Sequence, residues 1–350
     1  MKTYLKYFLG STLVTIICLV IAIIKDTNDI IYTLYIVILL GALEVSLSFD
    51  NAVVNAKVLK KISYFWRQIF LWLGIFVAVF VVRLITPIIM VSVSSHHSLI
   101  EVFTIATQQP ALFQSYLETN YSIISAFGGS FLLMIFLNFL FSREEKLIWI
   151  KKIENNHFIK DNKNPHLPLI LGFFIGLIFI ISYSIIIKFS YTMLISIIIS
   201  TGLSYALGVL NQKINGIESL VNAGIICFIY LEILDASFSF DGIFGALVIS
   251  SNIILITLGL MIGAMFIRSL TIYMVDNNTL EELPYLEHGA HYSIGYLAIS
   301  MWIKNFIHIP EYITGTVSLT LILMAFICSI KLNNKIFTLE SISKSPRKPV

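Results

Sequence analysis

A helix crosses the roughly 30 Å hydrocarbon core of a bilayer with about 20 largely apolar residues. Runs of that kind recur from one end of this chain to the other, and no other feature limits its fold so strongly. They fall at 7–24, 30–56, 66–92, 122–141, 168–188, 190–210, 219–249, 253–275, 291–308 and 312–330. Only 12% of the 350 residues are charged, against about 25% in soluble domains, and the mean hydropathy is +0.89. So few charges cannot cover the surface of a water-soluble fold. The expectation is an all-α polytopic membrane bundle of about ten transmembrane helices in a lipid bilayer. Lys2 and Lys6 ahead of the first run resemble a signal peptide, but no small-residue cleavage site follows and Lys25-Asp26 closes the run directly, so an uncleaved helix is expected.

A net charge of +3 without a basic, aromatic-interleaved cluster excludes a nucleic-acid partner. Cys18, Cys227 and Cys328 each sit alone in an apolar run and read as small core residues, neither a disulfide framework nor a zinc pair.

Charge between the runs sets orientation. Lys57, Lys60, Lys61 and Arg67 crowd 57–67, Arg143, Lys146, Lys151, Lys152, Lys160 and Lys163 crowd 142–167, and the C-terminal tail is also basic. Segment 93–121 carries Glu101 and Glu118 but no Lys or Arg, and its His96-His97 pair reads as facing water. With an even number of spans the basic segments share the cytoplasmic side, as does acidic 276–290. A cell (inner) membrane protein with both termini inside is expected.

The chain repeats itself. Glu44-Val-Ser46-Leu-Ser48-Phe-Asp50-Asn51 matches Asp235-Ala-Ser237-Phe-Ser239-Phe-Asp241-Gly242. Gly74 and Arg83-x-x-Thr86 then match Gly259 and Arg268-x-x-Thr271 with the same Gly-to-Arg spacing, and Gly128-Gly129 matches Gly295 more weakly. The motif spans are an odd number apart, so the units cross the membrane in opposite senses, as in secondary transporters. The expected division is an N-terminal helix (1–29), a first repeat (30–142), a basic linker with two spans (143–217), an inverted second repeat (218–310), and a last helix with a basic tail (311–350).

Glu44, Asp50, Glu232, Asp235 and Asp241 lie within these apolar spans. Each would cost on the order of 3 kcal/mol if it faced lipid. Pairing with Arg83 and Arg268 accounts for part of that charge, and an ion or proton pathway for the remainder. Glu44 and Ser48 share a helical face, as do Ser46 and Asp50, but Glu44 and Asp50 do not. The same holds for Asp235–Ser239 against Ser237–Asp241. The groups converge only if each helix is interrupted near the serines or if two regular helices cross with different faces inward. A local break in both motifs, near Asn51 and Gly242, is favoured because it would also free carbonyl ligands. Carboxylate, hydroxyl and amide oxygens suit Mg²⁺, Mn²⁺ or Ca²⁺. Glu287-His288-Gly-Ala-His291, ahead of the ninth run, is either an accessory pair of imidazoles or a polar helix start.

These residues resemble the TerC-type integral membrane proteins, and more closely the branch described as DUF475. The octets carry the resemblance, together with Phe127-Gly128-Gly129-Ser130-Phe131-Leu132 and Glu287-His288-Gly289-Ala290-His291-Tyr292, over about 35–330. The resemblance implies a divalent-cation exporter, with Mn²⁺ favoured over Ca²⁺ or Mg²⁺ as substrate, no tightly bound cofactor and no enzymatic activity. Protein partners stay open. Gly242 departs from the pattern, standing where Asn51 stands in the first octet. Two rival readings follow from the residues. One is a proton-coupled carrier of an organic solute held by Arg83 and Arg268. The other is an intramembrane aspartyl protease using Asp50 and Asp241, although each Asp follows Phe and no Gly-x-Gly-Asp is present.

Overall fold

The computed structural model describes residues 2–25, 29–60, 62–77, 81, 85–95, 97–141, 147–161, 164, 166–186, 190–214, 220–250 and 252–343. Arg83 lies outside the described residues, as do the side chains of Ser237, Ser239 and Asp241. Among the described residues every regular element is helical. In chain order these are α1 (Lys2–Lys25), α2 (Ile30–Leu47), α3 (Phe49–Leu59), α4 (Tyr64–Phe76), α5 (Thr86–Ser95), α6 (Leu99–Gln108), α7 (Pro110–Thr119) and α8 (Tyr121–Leu140). The short α9 (Lys151–Glu154) and α10 (His157–Asp161) precede α11 (Leu167–Ile186), α12 (Tyr191–Ile214), α13 (Leu220–Ile249) and α14 (Ile253–Asp276). The chain then forms α15 (Thr279–Glu282), α16 (Leu286–Ile303) and α17 (Glu311–Ser343).

Seven of these helices, α1, α2, α8, α11, α12, α14 and α17, are long and apolar enough to cross a membrane. α13 and α16 match the expected runs at 219–249 and 291–308 and carry buried acids and imidazoles. α16 begins earlier than the apolar run, so Glu287, His288 and His291 occupy its first two turns. They can do so because that end is covered by protein: a Cβ on Gly289 would stand 2.5 Å from Ala325 Cβ of α17.

Two starts are legible as caps. Asp29 accepts the Tyr32 N–H ahead of α2, and Asn252 accepts those of Ile254 and Leu255 ahead of α14, satisfying donors that a helix leaves unpaired.

The expected run 30–56 is divided at Ser48, whose backbone (φ −105°, ψ 11°) separates α2 from α3. The break expected in the second motif is absent: α13 continues from Leu220 to Ile249. No glycine among the described residues has a positive φ, so Gly242 stays helical. In lipid an unbroken ladder is the cheapest way to satisfy the backbone.

α2, α3, α8, α14 and α16 form the centre, with α1 outside α14, α11 and α12 outside α8, and α17 outside α16. Ile17, Ile31, Ile178 and Ile185 point outward from α1, α2 and α11, a surface suited to lipid. The α2–α14 crossing depends on Gly259-x-x-x-Gly263. A Cβ on Gly259 would stand 3.0 Å from Val37 O, and one on Gly263 would stand 2.7 Å from Gly41 O and 2.5 Å from Glu44 Cβ. Small residues at this spacing let backbones approach where no hydrophobic force drives helices together. The close approach fixes Glu44 at the crossing.

Candidate functional site

The two octets meet each other. Asn51 Nδ2 donates to Asp235 Oδ1 at 2.9 Å, joining the last residue of the first octet to the first of the second. At the other end a Cβ on Gly242 would stand 3.5 Å from Glu44 Oε2, joining the last residue of the second octet to the first of the first. The segments are therefore antiparallel and in a single register. The following helices repeat the relation. Gly259 of α14 lies against Gly41 of α2, with 3.4 Å from the Gly41 Cβ position to Gly259 O. Its counterpart Gly74 of α4 lies so close to Glu232 of α13 that a Cβ would collide with that carboxylate and with the Arg268 guanidinium. Glu232 stands three residues before its octet, as Gly41 does before Glu44.

Buried charge concentrates on one side of this crossing. Arg268 Nη1 and Nη2 donate to the two Glu232 carboxylate oxygens at 3.1 and 3.3 Å, and Nη2 also donates to Asp235 Oδ2 at 3.1 Å. Nη1 reaches the Phe70 carbonyl oxygen at 2.8 Å, and the guanidinium carbon lies 4.1 Å from the Phe70 ring centroid. Arg268, Glu232 and Asp235 are all buried. This is the pairing role considered for the arginine: two acids share one cation.

Asp50 is held differently. It is 1% exposed, accepts the Ser293 hydroxyl on Oδ2 at 3.1 Å, and accepts the Asn51 N–H on Oδ1 at 2.8 Å. Among the described residues no Lys, Arg or His pairs with it. Glu44, also buried, accepts the Ser48 hydroxyl at 2.6 Å. Ser46 is not drawn in; it faces α17, where a Cβ on Gly315 would stand 3.2 Å from its Oγ. Among the described residues no three His, Cys, Asp or Glu side chains converge closely enough to hold a metal ion; the side chain of Asp241 is outside that set.

The charged segments expected on the cytoplasmic side gather at one end of the bundle. Lys57 pairs with Glu287 at 2.8 Å, Arg67 with Asp276 at 3.3 Å, and Lys60 with Glu281. The acids of 276–290 thus meet the basic segment 57–67. Glu154, from α9 in the basic 142–167 segment, joins the same end. Its carboxylate lies 3.1 Å from His288 Nδ1 and accepts Tyr292 Oη at 3.1 Å and the N–H groups of Trp149 and Ile150. His291 stacks on Phe139 of α8 with centroids 4.0 Å apart. The imidazoles are therefore buried parts of a closed end, more than a polar helix start. At the far end Asn305 Nδ2 donates to Ser125 Oγ and Tyr121 Oη to the Met301 carbonyl oxygen, so the start of α8, with α7 leading into it, stands opposite the charged segments.

The sequence reading missed Asn55, Ser293, Phe70 and Glu154, and quoted Tyr292 only as the end of the Glu287–Tyr292 segment. Only Asn55 carried a signal, a second amide four residues after Asn51 in an apolar run. Ser293 and Phe70 act through contacts across the bundle, and Glu154 is one of several acids, with Glu144, Glu145 and Asp161, in a segment read as basic.

The profile of the family described as "Protein of unknown function (DUF475)" matches residues 49–336. No curated protein and no solved structure matches the chain.

Proposed function

The chain belongs to the DUF475 family, and on that premise we propose that it is a transporter exporting a divalent metal cation, Mn²⁺ in first place, from the cytoplasm. The observation that carries the reading is Asp50: a carboxylate buried at a helix break, without a cationic partner among the described residues, at the crossing of two repeated octets. Ionisable groups inside a membrane mark ion or proton paths by default. The reciprocal contacts Asn51–Asp235 and Glu44–Gly242 support an inverted repeat, whose interface is where transporters of that build place their sites.

The rival arginine role has less support, because Arg268 is already engaged by Glu232, Asp235 and the Phe70 carbonyl. Oxygen donors without sulfur favour a hard cation. Mg²⁺ gives up its waters reluctantly, so a dehydrated carboxylate–amide site suits Mn²⁺ or Ca²⁺ better. The TerC resemblance favours Mn²⁺ and the outward direction, with the charged end of the bundle in the cytoplasm. A transporter needs no catalytic residue, and we assign none.

The test is cellular. Cells lacking the protein are expected to accumulate manganese, the wild-type chain is expected to restore export, and Asp50→Asn and Asp241→Asn are expected not to. The double variant is no worse than either single one, since residues acting as a unit are non-additive. Unchanged cellular manganese together with proton-coupled uptake of an organic acid would overturn the reading.

A further inference from the structure

Near this crossing two side-chain oxygens have no partner among the described residues. Among the described residues nothing donates to Asn51 Oδ1 or to Asn55 Oδ1, both of them buried; their residues are 0% and 2% exposed. The Asn51 amide is oriented by its own contact. With Nδ2 committed to Asp235 Oδ1, its carbonyl oxygen is the end left over. Asn55 follows at i+4 on regular α3, so the two amides stand on one helical face with Cβ atoms about 5–6 Å apart. The register of the octets pairs Asn51 with Asp235 and Glu44 with Gly242. Continued by one turn, it sets Asn55 level with Leu231 and Glu232, toward the end of the bundle where Lys57 meets Glu287.

A buried acceptor with no donor costs stability, and native chains keep few of them. Leucine has the same branched skeleton of side-chain heavy atoms as asparagine, is bulkier, and would bring no unpaired acceptor into an apolar bundle. Two such oxygens one turn apart, beside a buried acid, form a row of neutral hard donors that a dehydrated cation would satisfy.

We propose that Asn55, with Asn51, forms a cation-binding station one helical turn from the Asp50–Asp235 level, on the path between the octet crossing and the charged end of the bundle. The proposal rests on the cation reading above and adds ligands to it. The station takes a hard divalent cation through carbonyl oxygens, so it lowers the barrier for the ion without adding a charge that would trap it.

The test titrates Mn²⁺ alone into the purified full-length protein in detergent and follows melting of the same samples. Asn55→Leu is expected to melt at or above the wild-type temperature in the absence of metal, because it removes an unsatisfied group. Its Kd for Mn²⁺ is expected to rise at least about tenfold, the loss of one hydrogen-bond-strength contact to a charged species. Asn55→Asp, which keeps an oxygen at the same place, is expected to bind as tightly as wild type or tighter. Asn55→Ala carries the same expectation as Asn55→Leu should leucine not fit. Wild-type Mn²⁺ affinity in Asn55→Leu and Asn55→Ala, with affinity lost in Asp50→Asn, would overturn the station and leave the cation reading standing. No Mn²⁺ binding by the wild type would overturn both.

Discussion

Replacing Arg268 by glutamine separates a structural arginine from a substrate-binding one. In the native protein the guanidinium bonds both oxygens of Glu232, one oxygen of Asp235 and the Phe70 carbonyl, and lies on the Phe70 ring. Glutamine keeps part of the side-chain length but removes the charge, so two buried acids lose their shared cation. Removing one partner of a buried ion pair costs about 3–5 kcal/mol, because the other charge is left uncompensated. At 1.4 kcal/mol per factor of ten, the folded-to-unfolded ratio falls roughly a hundredfold to a few thousandfold. The assay is folded yield by size-exclusion chromatography and thermal melting in detergent, in parallel with Mn²⁺ binding. Arg268→Gln is expected to give little folded protein, whereas Glu232→Gln/Asp235→Asn/Arg268→Met, which removes every charge of the cluster, recovers most of the yield. Normal yield and melting in Arg268→Gln, with loss only of affinity for an organic anion, would refute the structural assignment and favour the proton-coupled carrier.

Other outcomes follow from the same contacts. Gly242→Asn fits, since its Cβ meets only ordinary contacts at 3.5 and 4.0 Å, and its amide is placed to bond Glu44 as Asn51 bonds Asp235. Melting at or above wild type is expected, because in a helix interior glycine is about 1 kcal/mol less favourable than alanine and a few tenths less favourable than asparagine; a folding defect would contradict the reciprocal pairing. Glu154→Gln keeps its size but weakens the charge-assisted contacts to the loop N–H groups and His288. Proteolysis within 147–161 should then accelerate at least severalfold, and unchanged cleavage would show that this carboxylate does not hold the loop down. Cysteines at Ser98 and Lys152 should label from opposite faces of the membrane, Lys152 from the cytoplasm. Labelling from one face would end the inverted-repeat reading.

The sequence alone determined the class of solvent and the kind of fold. Runs of apolar length and a scarcity of charge admit only membrane helices, because in lipid the backbone must satisfy itself. It also showed which residues are paired by repetition. Octet matches octet and Gly-to-Arg spacing matches Gly-to-Arg spacing, and similarity of that kind survives in the linear order. Tertiary structure decided how the members meet. Helical periodicity places Asp50 and Asn51 about 100° apart on α3. Only the crossing of α3 with α16 and α13 shows that one reaches Ser293 while the other reaches Asp235. The break at Ser48, and its absence in α13, depend on what packs against each motif, and identical serine-rich patterns carry no record of that. Glu154 is the extreme case. Its partners His288 and Tyr292 lie more than a hundred residues away along the chain. A contact of that range has no periodicity and no local spacing to announce it, because it is made by two helices and a loop closing at one end of the bundle.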